Sequence, residues 1–216
     1  MLIDPIIEYN IITHWLGQHA GLTTTPKKFT RRLGKFLNKR HKIKLDVAYS
    51  TVLAAGDFTI AALYDVWRDE QGEKPIRFSL FINHSLDSKW LITAAIADKL
   101  ALEIIEAETH EYQHAYQYRA RNYGLAAPYR SLEQDLELHD DQEYLGQMDE
   151  IDAFSVNIAV RFYLTKQHTS LDLDNYRRTF GADHWIVRRL LKKITKRLAY
   201  LESLDNHCTS IETKSA

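Results

Sequence analysis

The sequence predicts an α+β fold: a small, mostly antiparallel sheet of about three strands packed on one long helix, with further N- and C-terminal helices. Three observations predict it. Between residues 43 and 82, three successive segments alternate apolar and polar residues, the period of a half-buried strand. From Ser88 to Arg121 there is no Gly or Pro and the apolar residues keep helical spacing. Helical patterns also fill both ends of the chain, outside the strand region.

Taken in order, Ile6 to Ala20 reads as a helix closed by Gly21, and Thr25-Pro26 opens a second helix running to about His41, with Pro in its first turn. Phe29, Leu33, Phe36 and Leu37 give that helix its apolar stripe. The period then changes to two. Ile43, Leu45, Val47 and Tyr49 form the first strand; Phe58, Ile60, Ala62, Tyr64 and Val66 the second; Ile76, Phe78, Leu80 and Ile82 the third, with Ala55-Gly56-Asp57 and Gln71-Gly72-Glu73 as breaks. Ser88 is a plausible N-cap for the long helix to Arg121, whose length of roughly 50 Å leads us to expect a bend near Asp98. Asn122-Tyr123-Gly124 ends it. An acidic, irregular excursion over residues 125–146 precedes helices over Gln147–Lys166, Leu171–Phe180 and Asp183–Leu204.

The chain has 216 residues, 45% hydrophobic and 26% charged, which suits a single folded domain over 1–205 with a flexible C-terminal tail at 206–216. No apolar run approaches the roughly 20 residues that span a bilayer, so no membrane partner is expected and the expected location is the cytoplasm, or the host cytoplasm or virion for a viral protein. A lone cysteine, Cys208, excludes an intrachain disulfide and a cysteine metal cage. Any metal must be held by histidine and carboxylate.

Net charge is −1, but the charge is segregated. Residues 26–44 hold nine Lys/Arg and no acid, residues 133–152 nine Asp/Glu and no Lys or Arg, and residues 186–198 six Lys/Arg. Such blocks read as solvated helix faces, or as surfaces for nucleic acid through the basic helices 26–44 and 186–198.

One motif carries chemistry. His110 and His114 lie four residues apart inside the long helix, so their imidazoles project from one face a turn apart and can grip one ion. Zinc would need a third protein ligand and an open position for water, whose pKa it lowers toward about 7. Glu111, beside the first histidine, can take the proton from that water and pass it to a leaving amine. A scaffold would need the histidines without the base. An incidental pair on a solvated face is the plainer reading.

With His110-Glu111-Tyr112-Gln113-His114 the sequence resembles the HExxH zinc peptidases of the gluzincin type, the small single-domain ones especially. The likeness covers about Ile76 to Lys166. It implies a zincin-like fold, Zn2+ as cofactor, a polypeptide substrate and a third ligand supplied as glutamate by a later helix. Tyr144-Leu145-Gly146-Gln147-Met148-Asp149-Glu150-Ile151-Asp152-Ala153-Phe154 looks like that later segment, with Glu150 in the ligand position and Ala153 the small residue one turn on. HExxH proteins of tailed bacteriophages that carry a "DEIDA" helix are similar here. Asp149, Asp152 and Glu143 are rivals to Glu150, and Asn157, on the same face, is a candidate partner behind the ligand.

Two departures from the family stand out. Glu108 occupies a position where such peptidases carry an uncharged residue, which suggests a more solvated helix there. The Gly and third His of the metzincins do not follow His114. An oxyanion-stabilising side chain must come from elsewhere: Tyr144 is the choice, with Tyr123, Tyr129 and His139 as others. In zincins the strand preceding the active-site helix is often the edge that pairs with an extended substrate, which would be Arg77 to His84, with His84 a strand-end residue rather than a ligand. The resulting expectation is a zinc-dependent peptidase. The alternatives are a metal-stabilised, inactive structural or assembly protein such as a virion component, and a DNA-associated protease.

Overall fold

The computed structural model describes residues 4–124 and 144–212, the last eight by backbone alone. The chain divides into two compact units, Met1–Tyr123 and Gly124–Ala216. The fold is mixed α and β, with seven helices among the described residues.

The first unit opens with α1 (Pro5–Gly17), whose N-cap Asp4 accepts from the amides of Ile6 and Ile7. Two residues of β1 (Thr23–Thr24) lead into α2 (Pro26–His41), capped by Thr25. The apolar stripe read from the sequence is the stripe that is buried: Phe29, Leu33 and Leu37 are fully covered. Phe36 stacks on Trp15 of α1, with centroids 4.9 Å apart. Lys42 closes α2 at φ 62°, its N–H donating to the Asn38 carbonyl, and that left-handed residue redirects the chain into a strand.

Strands β2 (Lys44–Tyr49), β3 (Phe58–Tyr64) and β4 (Ile76–Ile82) form one sheet in the order β2-β4-β3. The expected sheet of three strands is present, but it is mixed: β3 runs antiparallel to β4 whereas β2 runs parallel to it. The cause is topological. β4 inserts between β2 and β3, so the first two strands do not form the hairpin their adjacency in sequence suggests. Ile76, Phe78, Leu80 and Ile82 are at most 2% exposed, one face of β4 contributing about 1.5–3 kcal/mol per large side chain to the core.

Val66, expected as a strand end, instead begins a short helix, α3 (Val66–Glu70), because the Asp65 side chain accepts from the Arg68 amide and starts a turn. Downstream, Trp90–Leu91 is a strand (β5) paired antiparallel with β1. That pairing displaces the helix start expected at Ser88: α4 (Ala94–Ala120) is capped by Thr93, whose hydroxyl accepts from the Ile96 amide. It is a single helix of 27 residues through Asp98, where a bend was expected. Capped five residues later than expected, it runs unbroken along α1 and β3. Asn122 and Tyr123, both at positive φ, end it.

The second unit contains α5 (Met148–Thr165), α6 (Leu171–Phe180) and α7 (Trp185–Glu212). Ile151, Ile158 and Ala159 of α5, Leu173 and Tyr176 of α6, and Val187 and Leu190 of α7 are almost wholly buried. The backbone of α7 continues to Glu212, seven residues into the segment expected to be a tail. No helix among the described residues is long and apolar enough to cross a membrane.

Candidate metal centre

The site begins with the rigidity of α4. Leu100, Ala101, Ile104 and Ile105 fix its first half in the core and Ala115 and Tyr118 its second half, all at most 2% exposed. A helix clamped at both ends holds i and i+4 side chains in one register.

His110 and His114 use that register. Their rings meet edge to face, centroids 4.8 Å apart and planes at 73°, and their Nε2 atoms face each other across 3.1 Å. The far side of His114 is tied down, its Nδ1 lying 3.1 Å from Gln117 Oε1. An amide oxygen only accepts, so His114 Nδ1 carries the proton and its Nε2 is left with a lone pair directed at His110. Two nitrogens at about 2.0–2.1 Å from one tetrahedral ion stand about 3.3 Å apart. The observed spacing differs from that by a few tenths of an ångström, so the pair fits a metal. Gln117 occupies the place where a ligating histidine would have an orienting partner on its other nitrogen.

Glu111 sits between the two histidines in sequence and is 6% exposed, a buried carboxylate on the same rigid segment. The other two members of the motif do different work. Tyr112 points away, its hydroxyl donating to the His41 carbonyl at 3.1 Å, and burial pushes its pKa up to about 12. Gln113 is buried.

Glu108 overturns the expectation of a solvated helix. It is 0% exposed, and its carboxylate lies 2.7 Å from His41 Nδ1, whose other nitrogen is 3.3 Å from Glu8. Arg40 holds Glu8 by two hydrogen bonds of 2.7 and 2.9 Å. Burial pushes the Glu108 carboxyl up, opposed by the His41 contact. The charge that departs from the family pattern therefore ties α4 to α2 and α1. Nothing in the spacing of residues 8, 41 and 108 signals this.

The substrate edge expected at Arg77 to His84 is not an edge. β4 is the central strand, flanked on both sides. The outer edge of β3 is also engaged: the Ile60 amide donates to Glu103 Oε2 at 2.8 Å, and Lys99 Nζ donates to the Phe58 carbonyl at 3.0 Å. Two side chains one turn apart on α4 thus take the backbone groups a paired peptide would use. His84 lies beyond the end of β4 with Nδ1 at 2.9 Å from the Ser85 carbonyl.

The remaining candidates lie in the second unit. Glu150 is in the first turn of α5 and 2% exposed. Its rivals differ from it: Asp152 is paired with Lys193 of α7, and Asp149 is half-buried. Asn157, two turns on, donates to Asp172 of α6 at 3.0 Å. Tyr144 is half-buried just before α5, its carbonyl accepting from the Gln147 amide. Tyr176, which the sequence did not single out, is fully buried on α6, and burial, with the charges of Glu150 and Asp172 nearby, pushes its hydroxyl well above the usual tyrosine range. Among twelve tyrosines, only its packing distinguishes it. Tyr123 lies with its hydroxyl 3.5 Å from the Asp69 carbonyl, at the end of α4. Glu143, Tyr129 and His139 lie outside the described residues.

Comparison of the chain with protein-family models, with curated proteins and with solved structures returns no match.

Proposed function

We propose that this protein is a metal-dependent peptidase in which His110, His114 and Glu150 hold Zn2+ and Glu111 is the general base. Two imidazoles and a carboxylate are a donor set that can hold a metal ion and leave a fourth position open. The observation that carries the reading is the 3.1 Å approach of the two Nε2 atoms with the His114 tautomer fixed by Gln117.

When bound, zinc would acidify a water and polarise a substrate carbonyl. The protein's own part follows from its residues. Gln117 keeps the His114 lone pair on the side of His110. Glu111, held by a buried helix, accepts the proton of the attacking water and returns it to the amine of the broken peptide bond, so the proton balance closes on one residue. Tyr144 is the group we assign to steady the developing oxyanion.

The test combines metal analysis of purified protein with hydrolysis of an unstructured protein such as casein. One zinc per chain is expected, lost in His114→Ala and retained in Glu111→Gln, with turnover lost in both. A second reading, a metal-stabilised assembly protein, is favoured by one observation: β4 is central and the β3 edge is taken by Lys99 and Glu103, so neither offers a pairing edge to substrate. Stoichiometric zinc with no proteolysis under any condition would select it.

A further inference from the structure

On the first unit, a cleft of about 350 Å³ opens between α2, the start of β2, α3 and β4. Six cationic side chains line it: Arg31, Lys35, Lys44, Arg68, Lys74 and Arg77, with no acid among the lining residues. Gly34 and Leu45 also line it, and a Cβ on Gly34 would come into van der Waals contact with Leu45 at 3.4 Å.

The charges fall into two groups. Arg68 is neutralised by Asp65 and Glu73, each at 3.3 Å, Lys44 lies 3.2 Å from Asp46, and Lys74 donates to Asn38 at 2.6 Å. Arg31, Lys35 and Arg77 have no carboxylate within ion-pair distance among the described residues, and Arg77 Nε is sealed from solvent with no hydrogen-bond partner there. Arg31 and Lys35 are a like-charged pair one helical turn apart, and Lys44 and Arg77 are register neighbours across the parallel β2-β4 pair. Both arrangements disfavour the folded state. A buried guanidinium nitrogen without an acceptor adds to the cost. The chain accepts all three in one concave place; on the rest of α2, Lys27 and Arg40 have carboxylate partners while Lys28, Arg32 and Lys39 have none among the described residues, so it is the concave placement that sets Arg31 and Lys35 apart.

We infer that this cleft is a binding site for phosphate groups, with the half-buried Arg77 as its anchor and Arg31 and Lys35 as its rim. A guanidinium offers planar, paired N–H donors that match phosphate oxygens, and the ammonium of Lys35 adds a point charge. A volume near the lower end for small-ligand sites accommodates one or two phosphates rather than a large apolar group. The phosphates can be those of a nucleic-acid strand or of a free polyphosphate, and the two sources separate by experiment. The inference does not use the metal centre, so its failure leaves the peptidase reading intact, and the reverse.

The test measures binding of the full-length protein to a fluorescein-labelled 20-nucleotide DNA, single- and double-stranded, by anisotropy from 50 to 200 mM salt, and to inorganic tripolyphosphate by calorimetry. Arg31→Gln/Lys35→Gln, on an exposed helix face, removes rim charge without touching the core, and Arg77→Gln removes the anchor. Arg188→Gln/Lys192→Gln on α7 controls for loss of charge as such. Binding of at least one probe is expected, weakened about ten-fold or more by the rim variant and left unchanged by the control; on DNA, two lost phosphate contacts should reduce the salt slope by about 2. Tripolyphosphate binding without DNA binding would identify a free polyphosphate as the source, and DNA binding without it a strand. Absence of binding to both at 50 mM salt, or equal loss in the rim and control variants, would overturn the inference.

Discussion

His114 shows how much a single residue owes to its neighbour. Its imidazole could rotate or exchange tautomers, but Gln117 Oε1 at Nδ1 decides both, leaving the Nε2 lone pair toward His110. Gln117→Ala should therefore keep the fold while weakening zinc binding about 10–100-fold, measured by competition with a chromophoric chelator. An unchanged affinity would mean that the amide does not orient the ring. The histidine spacing and Glu111 were legible in the sequence because a helix turns four residues into one face. The orienting role of Gln117 was not, since a glutamine at i+3 has no single meaning until its rotamer is fixed by burial.

At the scale of elements, α4 is secured by polar contacts at its flanks as well as by its apolar core. Near its C-terminus Arg119 grips Asp69 of α3 at 2.7 and 2.5 Å, and the Tyr64 hydroxyl donates to the same carboxylate at 2.7 Å. Burial would raise the Asp69 pKa, but these donors more than offset it and hold the carboxyl below its ordinary range. Asp69→Asn should destabilise the protein by about 1–3 kcal/mol in urea unfolding at pH 7, less than a fully buried pair because Arg119 is half exposed. A folded pKa below the unfolded one stabilises above the unfolded value of about 3.9 and ceases to as pH falls through the folded value, so the gap between wild type and variant should close in acid. A gap that persists at pH 2 would refute that account. Mid-helix, His41→Ala would leave Glu108 buried without its imidazole, and a loss of about 3 kcal/mol is expected by the same measurement.

For the whole molecule, a ligand that binds only the folded state must raise its melting temperature. Zinc at roughly 100 times its Kd contributes about 2.7 kcal/mol, which for a chain of this size is a shift of about 5–10 °C in thermal unfolding. The shift should be reversed by EDTA, absent in His114→Ala and reduced in Glu150→Ala; a full shift in the histidine variant would place the metal elsewhere. By itself the sequence determined what local periodicity encodes: α2 with its Thr25 cap, the three strand segments, the helix carrying His110, Glu111 and His114, and the bounds of Leu171–Phe180. Tertiary structure alone decided which strands are neighbours. It placed β4 at the centre of the sheet, sealed the β3 edge with Glu103 and Lys99, and turned Glu108 from a solvated charge into the buried partner of His41. The physical reason is range: a helical turn or strand alternation is fixed by neighbours a few residues away, whereas pairing order and the partner of a buried charge depend on residues about 12 to 67 positions distant, and nothing in local spacing records them.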